Sequence, residues 1–153
     1  MKILDLTAGR RSIWFNKFHP LVTFLDHRAE VEPTILCDSG AIPAEAGVGY
    51  DLIVFDPPHT NIGKNGQMSS RYGSSTQAEI RKLVSACARE AFRVAKPEAL
   101  MAFKWSNHGH ISLEEVLSLM PGWEPLFGQK VSIRTKHASA TWWTLLKRKT
   151  QCL

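Results

Sequence analysis

Four aspartates stand where apolar runs end: Asp5 before Thr7-Ala8-Gly9, Asp26 after Leu21–Leu25, Asp38 in Leu36-Cys37-Asp38-Ser39, and Asp56 at the head of Asp56-Pro57-Pro58-His59. An ionised carboxylate only accepts hydrogen bonds, so a single one can hold two hydroxyl groups at once. Asp26 follows Asp5 by 21 residues, close to the ~20-residue offset at which an acid meets a ribose hydroxyl in nucleoside-binding α/β folds. Asp38 is suited to accept from an adenine amino group in the same site. Aspartate also forms turns at strand ends, and for any one of these residues the turn alone is an adequate account. Pro57-Pro58 would make the turn after Asp56 rigid, because each ring fixes φ and removes a backbone donor.

These acids can serve one ligand only if their strands end at a common edge. Apolar, β-branched and aromatic runs predict strands over Lys2–Thr7, Leu21–Asp26, Thr34–Asp38, Asp51–Asp56, Ala99–Trp105, Trp123–Ile133 and Thr141–Lys147. Asp51-Leu52-Ile53-Val54-Phe55-Asp56 has a continuous apolar interior, the pattern of a strand covered on both faces and hence parallel to its neighbours. Between it and the next strand, Ile80, Leu83, Val84, Cys87, Ala88, Ala91, Phe92 and Ala95 recur at helical spacing, with Thr76 and Glu79 as a capping box and Pro97 as the stop. A second helix opens at Ser112 and Glu115 and closes at Pro121-Gly122, and a short one is expected over Arg10–Phe18. Strand–helix alternation, followed by two strands with no helix between them, points to a doubly wound, seven-stranded α/β sheet whose last two strands form an antiparallel pair. Ligands of such sheets bind at the carboxyl ends of the strands.

The 153 residues, 44% hydrophobic and 22% charged, form one domain over 1–153 and exclude disorder. No stretch reads as a signal peptide or a membrane anchor, and no membrane partner is expected. Cys37, Cys87 and Cys152 are odd in number and lack metal-ligand spacing, which points away from a disulfide framework or zinc site and toward a reducing, cytoplasmic compartment. Charge divides unevenly: residues 1–58 carry five basic and eight acidic side chains, and residues 59–153 carry fourteen and six. No acid follows Glu124, whereas Lys130, Arg134, Lys136, Lys147, Arg148 and Lys149 do. Such a stretch suits a polyanionic partner, or forms a solvated basic face.

Leu4-Asp5-Leu6-Thr7-Ala8-Gly9, Asp26, Asp38 and Asp56-Pro57-Pro58-His59 occur in the order found in class I S-adenosylmethionine-dependent methyltransferases, which the chain resembles over nearly its full length. Ala95-Lys96-Pro97 is similar to the helix-ending Lys-Pro of that fold. The Asp-Pro-Pro-His segment resembles the Asp-Pro-Pro-aromatic motif of members that methylate exocyclic amino groups, above all adenine N6 in DNA or RNA. The resemblance implies a single-domain, Rossmann-like methyltransferase fold, its sheet mostly parallel with an antiparallel last strand, and S-adenosyl-L-methionine as cofactor, with no metal. It implies a cofactor site of Asp5, Leu6, Thr7, Ala8, Gly9, Asp26, His27, Asp38, Ser39 and Asp56, and catalysis by Asp56, Pro57, Pro58 and His59.

In such a reaction the aromatic amine is a poor nucleophile because its lone pair is delocalised. A carboxylate and a rigid carbonyl, those of Asp56 and Pro57, can accept both amino hydrogens and aim the nitrogen at the methyl group. Two positions depart from the family pattern. Gly9-Arg10-Arg11-Ser12 replaces the usual Gly-x-Gly, and His59 stands where Tyr, Phe or Trp stacks on the base. Residues 59–76 form a long loop without acids, read either as a flexible substrate loop, with Lys64 and Arg71 on phosphates and Tyr72 on a base, or as a solvated loop only. Lys104 and Trp105 at the end of the fifth strand, and His137, are further substrate candidates.

With no separate recognition domain, the chain resembles RNA-modifying members or a non-specific DNA enzyme, RNA being slightly preferred. A protein side-chain amide or a small molecule is an alternative substrate. A non-catalytic nucleic-acid-binding subunit is another reading. Oligomeric state is not legible.

Overall fold

The computed structural model describes residues 1–58, 76–107, 111–131 and 140–150. Seven strands form one sheet: β1 (Ile3–Asp5), β2 (Val22–Asp26), β3 (Ile35–Leu36), β4 (Tyr50–Phe55), β5 (Ala95–Ser106), β6 (Trp123–Val131) and β7 (Thr141–Arg148). Helix α1 (Gln77–Val94) joins β4 to β5, and α2 (Leu113–Ser118) lies between β5 and β6. The strand order is β3-β2-β1-β4-β5-β7-β6. Strands β1 to β5 are parallel, and β7 runs antiparallel to both β5 and β6. This is the seven-stranded α/β sheet with an antiparallel last strand that the element order and the family resemblance predict.

Local chemistry sets the boundaries. Thr76 Oγ1 accepts from Glu79 N at 3.2 Å while Glu79 Oε2 accepts from Thr76 N at 2.6 Å, so the first turn of α1 has a reciprocal cap worth about 1 kcal/mol. The helix buries Ile80, Val84, Cys87, Ala88, Ala91 and Val94. Its end is abrupt: Lys96 precedes Pro97, which disfavours the helical conformation, and Ala95 already pairs with Tyr50 of β4. Strand β5 therefore follows the helix without a loop, with a register shift opposite Tyr50 and Leu52.

The two faces of the sheet are covered differently. Ile53, Phe55, Met101, Phe103, Trp105 and Leu146 pack in one core with α1 and α2. On the other face a smaller cluster of Ile3, Ala8, Val22, Phe24 and Val54 is closed by Trp14 and Leu52.

The helix expected over Arg10–Phe18 does not form; the segment is a series of turns. Gly9 and Arg11 take left-handed backbone angles, φ 50° and 55°, which a right-handed helix cannot include. A nine-residue helix has little stability of its own, and side-chain anchoring overrides it here. The Trp14 indole donates to Asp5 Oδ2 at 2.7 Å, and the Arg11 guanidinium donates to the carbonyls of Lys17 and Glu32.

Candidate functional site at the strand carboxyl ends

Register brings the acids together. Asp5 pairs with Phe24 on one side and Val54 on the other, so β1 and β2 end beside β4 at one edge of the sheet. Phe55 pairs with Phe103, which makes Asp56 and Lys104 neighbours just beyond.

The Asp5–Gly9 turn is held from three directions. Leu6 N and Ala8 N donate to Val54 O and Leu25 O, each at 3.0 Å, while Ser39 Oγ donates to Leu6 O. Thr7 N donates to Asp5 Oδ1 at 3.1 Å. Gly9 N donates to Asp26 Oδ2 at 2.9 Å, at a backbone angle that favours glycine. Asp5 itself is buried, and burial pushes its carboxyl up to about 6, against the opposing hydrogen bonds from Trp14 and Thr7. The charges of Asp56 and Asp26 push it the same way as burial does.

Asp26 is a saturated acceptor. Arg28 donates to it three times, from N and Nε to Oδ1 at 3.0 and 2.9 Å and from Nη2 to Oδ2 at 3.1 Å, and Gly9 N is the fourth donor. Burial raises the Asp26 carboxyl, but the bonds from Arg28 and Gly9 outweigh burial and hold it below its ordinary range. His27 points largely into solvent, with Nδ1 3.8 Å from Asp26 Oδ1. Asp38 is exposed and accepts from Gly40 N at 2.8 Å, while Ser39 is buried against the turn.

Asp56 is tied to both neighbouring elements. Its N–H donates to Thr7 Oγ1 at 3.0 Å, which couples the Pro-Pro turn to the β1 turn. Its Oδ2 accepts from Lys104 Nζ at 2.8 Å, and Lys104 in turn lies 5.8 Å from the Trp143 ring centroid. Pro57 is buried and Pro58 half-buried.

Trp105 does not join Lys104 at this site. Successive strand residues face opposite sides, and Trp105 lies fully buried in the core, stacked 6.0 Å from Phe103, with its indole donating to Ile111 O at 3.0 Å. His59, Lys64, Arg71, Tyr72 and His137, and the loop over 59–75, lie outside the described residues. Arg28, Trp14 and Trp143 are site neighbours that sequence reasoning missed. The Asp26-x-Arg28 spacing at a strand end was the one local signal, because it lets an arginine fold back on its own acid. Among the described residues no His, Cys, Asp and Glu side chains gather into a set able to hold a metal, and no helix is long and apolar enough to cross a membrane.

No protein-family model matches the chain, and neither does any curated protein. Solved structures do match. The N-methyltransferase NodS from Bradyrhizobium japonicum, in complex with S-adenosyl-L-homocysteine, shares 10% identity at a TM-score of 0.65, over 97% of this chain and 78% of its own. A TehB-like SAM-dependent methyltransferase from Corynebacterium glutamicum shares 11% at 0.64, over 97% and 80%. TrmN from Thermus thermophilus shares 14% at 0.59, over 97% of this chain and 44% of its own. The chain has the fold of SAM-dependent methyltransferases. Within that methyltransferase fold, the Asp5–Gly9 turn, Asp26 and the Asp56-Pro57-Pro58 turn occupy one edge, where acceptors outnumber cations.

Proposed function

We propose that this chain transfers a methyl group from S-adenosyl-L-methionine to an exocyclic amino nitrogen, adenine N6 in a nucleic acid, with RNA ahead of DNA. One observation carries the reading: the Asp56-Pro57-Pro58 turn leaves β4 bonded to the Asp5–Gly9 turn through Thr7. A nucleophile-orienting carboxylate thereby sits beside the acceptors suited to a nucleoside cofactor.

The residues present suit that cofactor. Asp26 and Asp56 lie close enough for their charges to act on Asp5, surroundings that favour a cationic sulfonium. Gly9 sits at φ 50°, a left-handed backbone that favours glycine, and carries no side chain to crowd a ligand's approach to the turn. Asp26 and Asp38 are the acceptors for ribose hydroxyls and the adenine amino group. When bound, the cofactor supplies an electrophilic methyl group.

This chain's own part is orientation and charge. Asp56 and the Pro57 carbonyl accept the two amino hydrogens, which draws the nitrogen lone pair out of conjugation. Lys104 holds Asp56 in place through the 2.8 Å ion pair, and Asp56 faces the positive charge that grows on nitrogen. The two prolines fix the carbonyl before substrate arrives, so little reorganisation remains. His59 takes the base-holding position, and Lys64, Arg71, Tyr72 and His137 contact the rest of the nucleic acid.

Incubation with methyl-labelled cofactor and RNA or DNA, followed by nucleoside mass spectrometry, tests this directly. Label is expected in N6-methyladenosine or its deoxy form. Label confined to protein or small molecules overturns the substrate assignment. A second reading, a non-catalytic nucleic-acid-binding chain of the same fold, is favoured by the saturation of Asp26 by Arg28. Its signature is nucleic-acid binding with no cofactor binding by calorimetry.

A further inference from the structure

The segment from Arg10 to Leu21 leaves the site directly after Gly9 and displays two exposed phenylalanine rings. Its inner side is anchored. Trp14 donates to Asp5 and meets Phe24 edge-on at 5.6 Å, and the Arg11 guanidinium lies 4.3 Å from the Phe24 ring centroid. With these two residues fixed beneath, Phe15 stands wholly in solvent at 110% exposure, and Phe18, 80% exposed, has only the Arg11 guanidinium 5.4 Å from its ring centroid among the described residues. The chain has only seven phenylalanines, and burying each would favour folding. In sequence Arg10 precedes the two rings and Lys17 lies between them, both exposed and with no side-chain partner among the described residues.

We propose that this segment is a docking platform for single-stranded nucleic acid, with bases stacked on Phe15 and Phe18 and phosphates on Arg10 and Lys17. This rests on the nucleic-acid reading above and names the surface that holds the strand. Exposed rings interleaved with cations hold single strands because every base has a face to stack and every linkage has a charge to neutralise. A paired duplex keeps its bases stacked on one another and cannot offer them to the rings. The place also fits, because Gly9 N is bonded to Asp26, so the platform begins at the rim of the strand-end site. Glu30 and Glu32 share an open cavity with Arg10, Lys17 and Phe18. Those acids oppose a broad anionic surface such as a membrane, whereas a flexible strand need meet only the exposed rings and the two cations.

The test is fluorescence anisotropy of the full chain with a short labelled single strand, RNA and DNA in turn, at low and moderate salt. Phe15→Ala and Phe18→Ala are each expected to weaken binding about tenfold, Phe15→Tyr to retain it, and the thermal midpoint of the Phe15 variants to stay unchanged because that ring is wholly exposed. Arg10→Gln combined with Lys17→Gln should flatten the salt dependence by roughly two counterions. Wild-type affinity in both alanine variants overturns the platform while leaving the nucleic-acid reading intact. So does capture of anionic lipid vesicles by the wild type that the alanine changes abolish while strand binding persists. Failure of the wild type to bind any RNA or DNA removes the nucleic-acid reading, and the platform with it.

Discussion

The guanidinium of Arg28 grips both carboxylate oxygens of Asp26, Nε to Oδ1 at 2.9 Å and Nη2 to Oδ2 at 3.1 Å. The two backbone donors, Gly9 N and Arg28 N, fill what remains of the carboxylate. A vicinal diol presents two O–H donors side by side much as the guanidinium edge presents two N–H donors. If Asp26 holds the ribose as proposed, the ribose must displace the Arg28 side chain, and cofactor affinity would be the difference between two similar sets of bonds. Arg28→Ala is expected to tighten S-adenosylmethionine binding by about tenfold in calorimetry, and Asp26→Ala to weaken it by at least about tenfold. Weaker binding in Arg28→Ala would mean that the arginine holds the ligand and does not compete with it.

Asp5 makes stability depend on pH in an uncommon direction. Its carboxyl is raised in the folded chain from 3.8 to about 6, chiefly by burial. Between these values the folded state keeps a proton that the unfolded state has released, so stability falls as pH rises from about 4 to about 6 and is level above. The whole rise corresponds to about 3 kcal/mol. Carboxylates held low, such as Asp26 and Glu90, act oppositely, and their contribution is lost as pH falls through their folded values. Urea titrations of wild type and Asp5→Asn at pH 4 and pH 7 isolate the Asp5 share. The variant's relative stability is expected to improve by about 2 kcal/mol at the higher pH. A difference that stays constant across this range would show that Asp5 titrates normally.

Strands, their order of polarity and the capped helix α1 were legible because each leaves a local trace: apolar runs, a Thr76–Glu79 capping box and a Lys96-Pro97 stop. What was not legible depended on side chains meeting across the fold. The spacing of Arg10–Phe18 reads as a helix, but Gly9 and Arg11 at positive φ and the pull of Asp5 on Trp14 make it a series of turns. Lys104 and Trp105 are adjacent in sequence and so look like partners. Strand parity sends one to Asp56 and the other into the core, and which goes where depends on the face that α1 covers. The acids at the strand ends could be seen individually, whereas the saturation of one of them by its own neighbour Arg28 needed coordinates.

Gly122 is tolerant in backbone but not in space. A Cβ there would lie 2.7 Å from Phe92 Cδ2 and 3.1 Å from Cε2. Phe92 cannot easily yield, since it meets Trp123 edge-on at 6.4 Å and carries the Arg148 guanidinium 4.0 Å from its centroid. Gly122→Ala is expected to cost about 1–3 kcal/mol through overpacking, read as a lower denaturant midpoint with an unchanged slope. An unaltered midpoint would mean that the turn after α2 shifts freely. Methyl transfer well below the melting range should be preserved, because this contact lies on the α1 side of the sheet.

Asp56 and Lys104 should separate catalysis from binding. The carboxylate accepts 2.8 Å from Lys104 Nζ, and the Asp56 backbone is anchored on Thr7, so position and charge have different sources. If Asp56 meets charge that appears mainly in the transition state, Asp56→Ala should lower kcat by roughly 10²–10³ with little change in cofactor affinity. Lys104→Met keeps the carboxylate but frees its rotamer, and a misdirected acceptor should cost less, about tenfold in kcat, with Lys104→Arg recovering most of it. The order of the two losses is the informative result. Should Lys104→Met be as damaging as Asp56→Ala while cofactor binding and melting are unchanged, Lys104 would be contacting the substrate itself. Should Lys104→Met raise kcat, the ion pair would be restraining Asp56, and the amine would have to displace Lys104 before reaction.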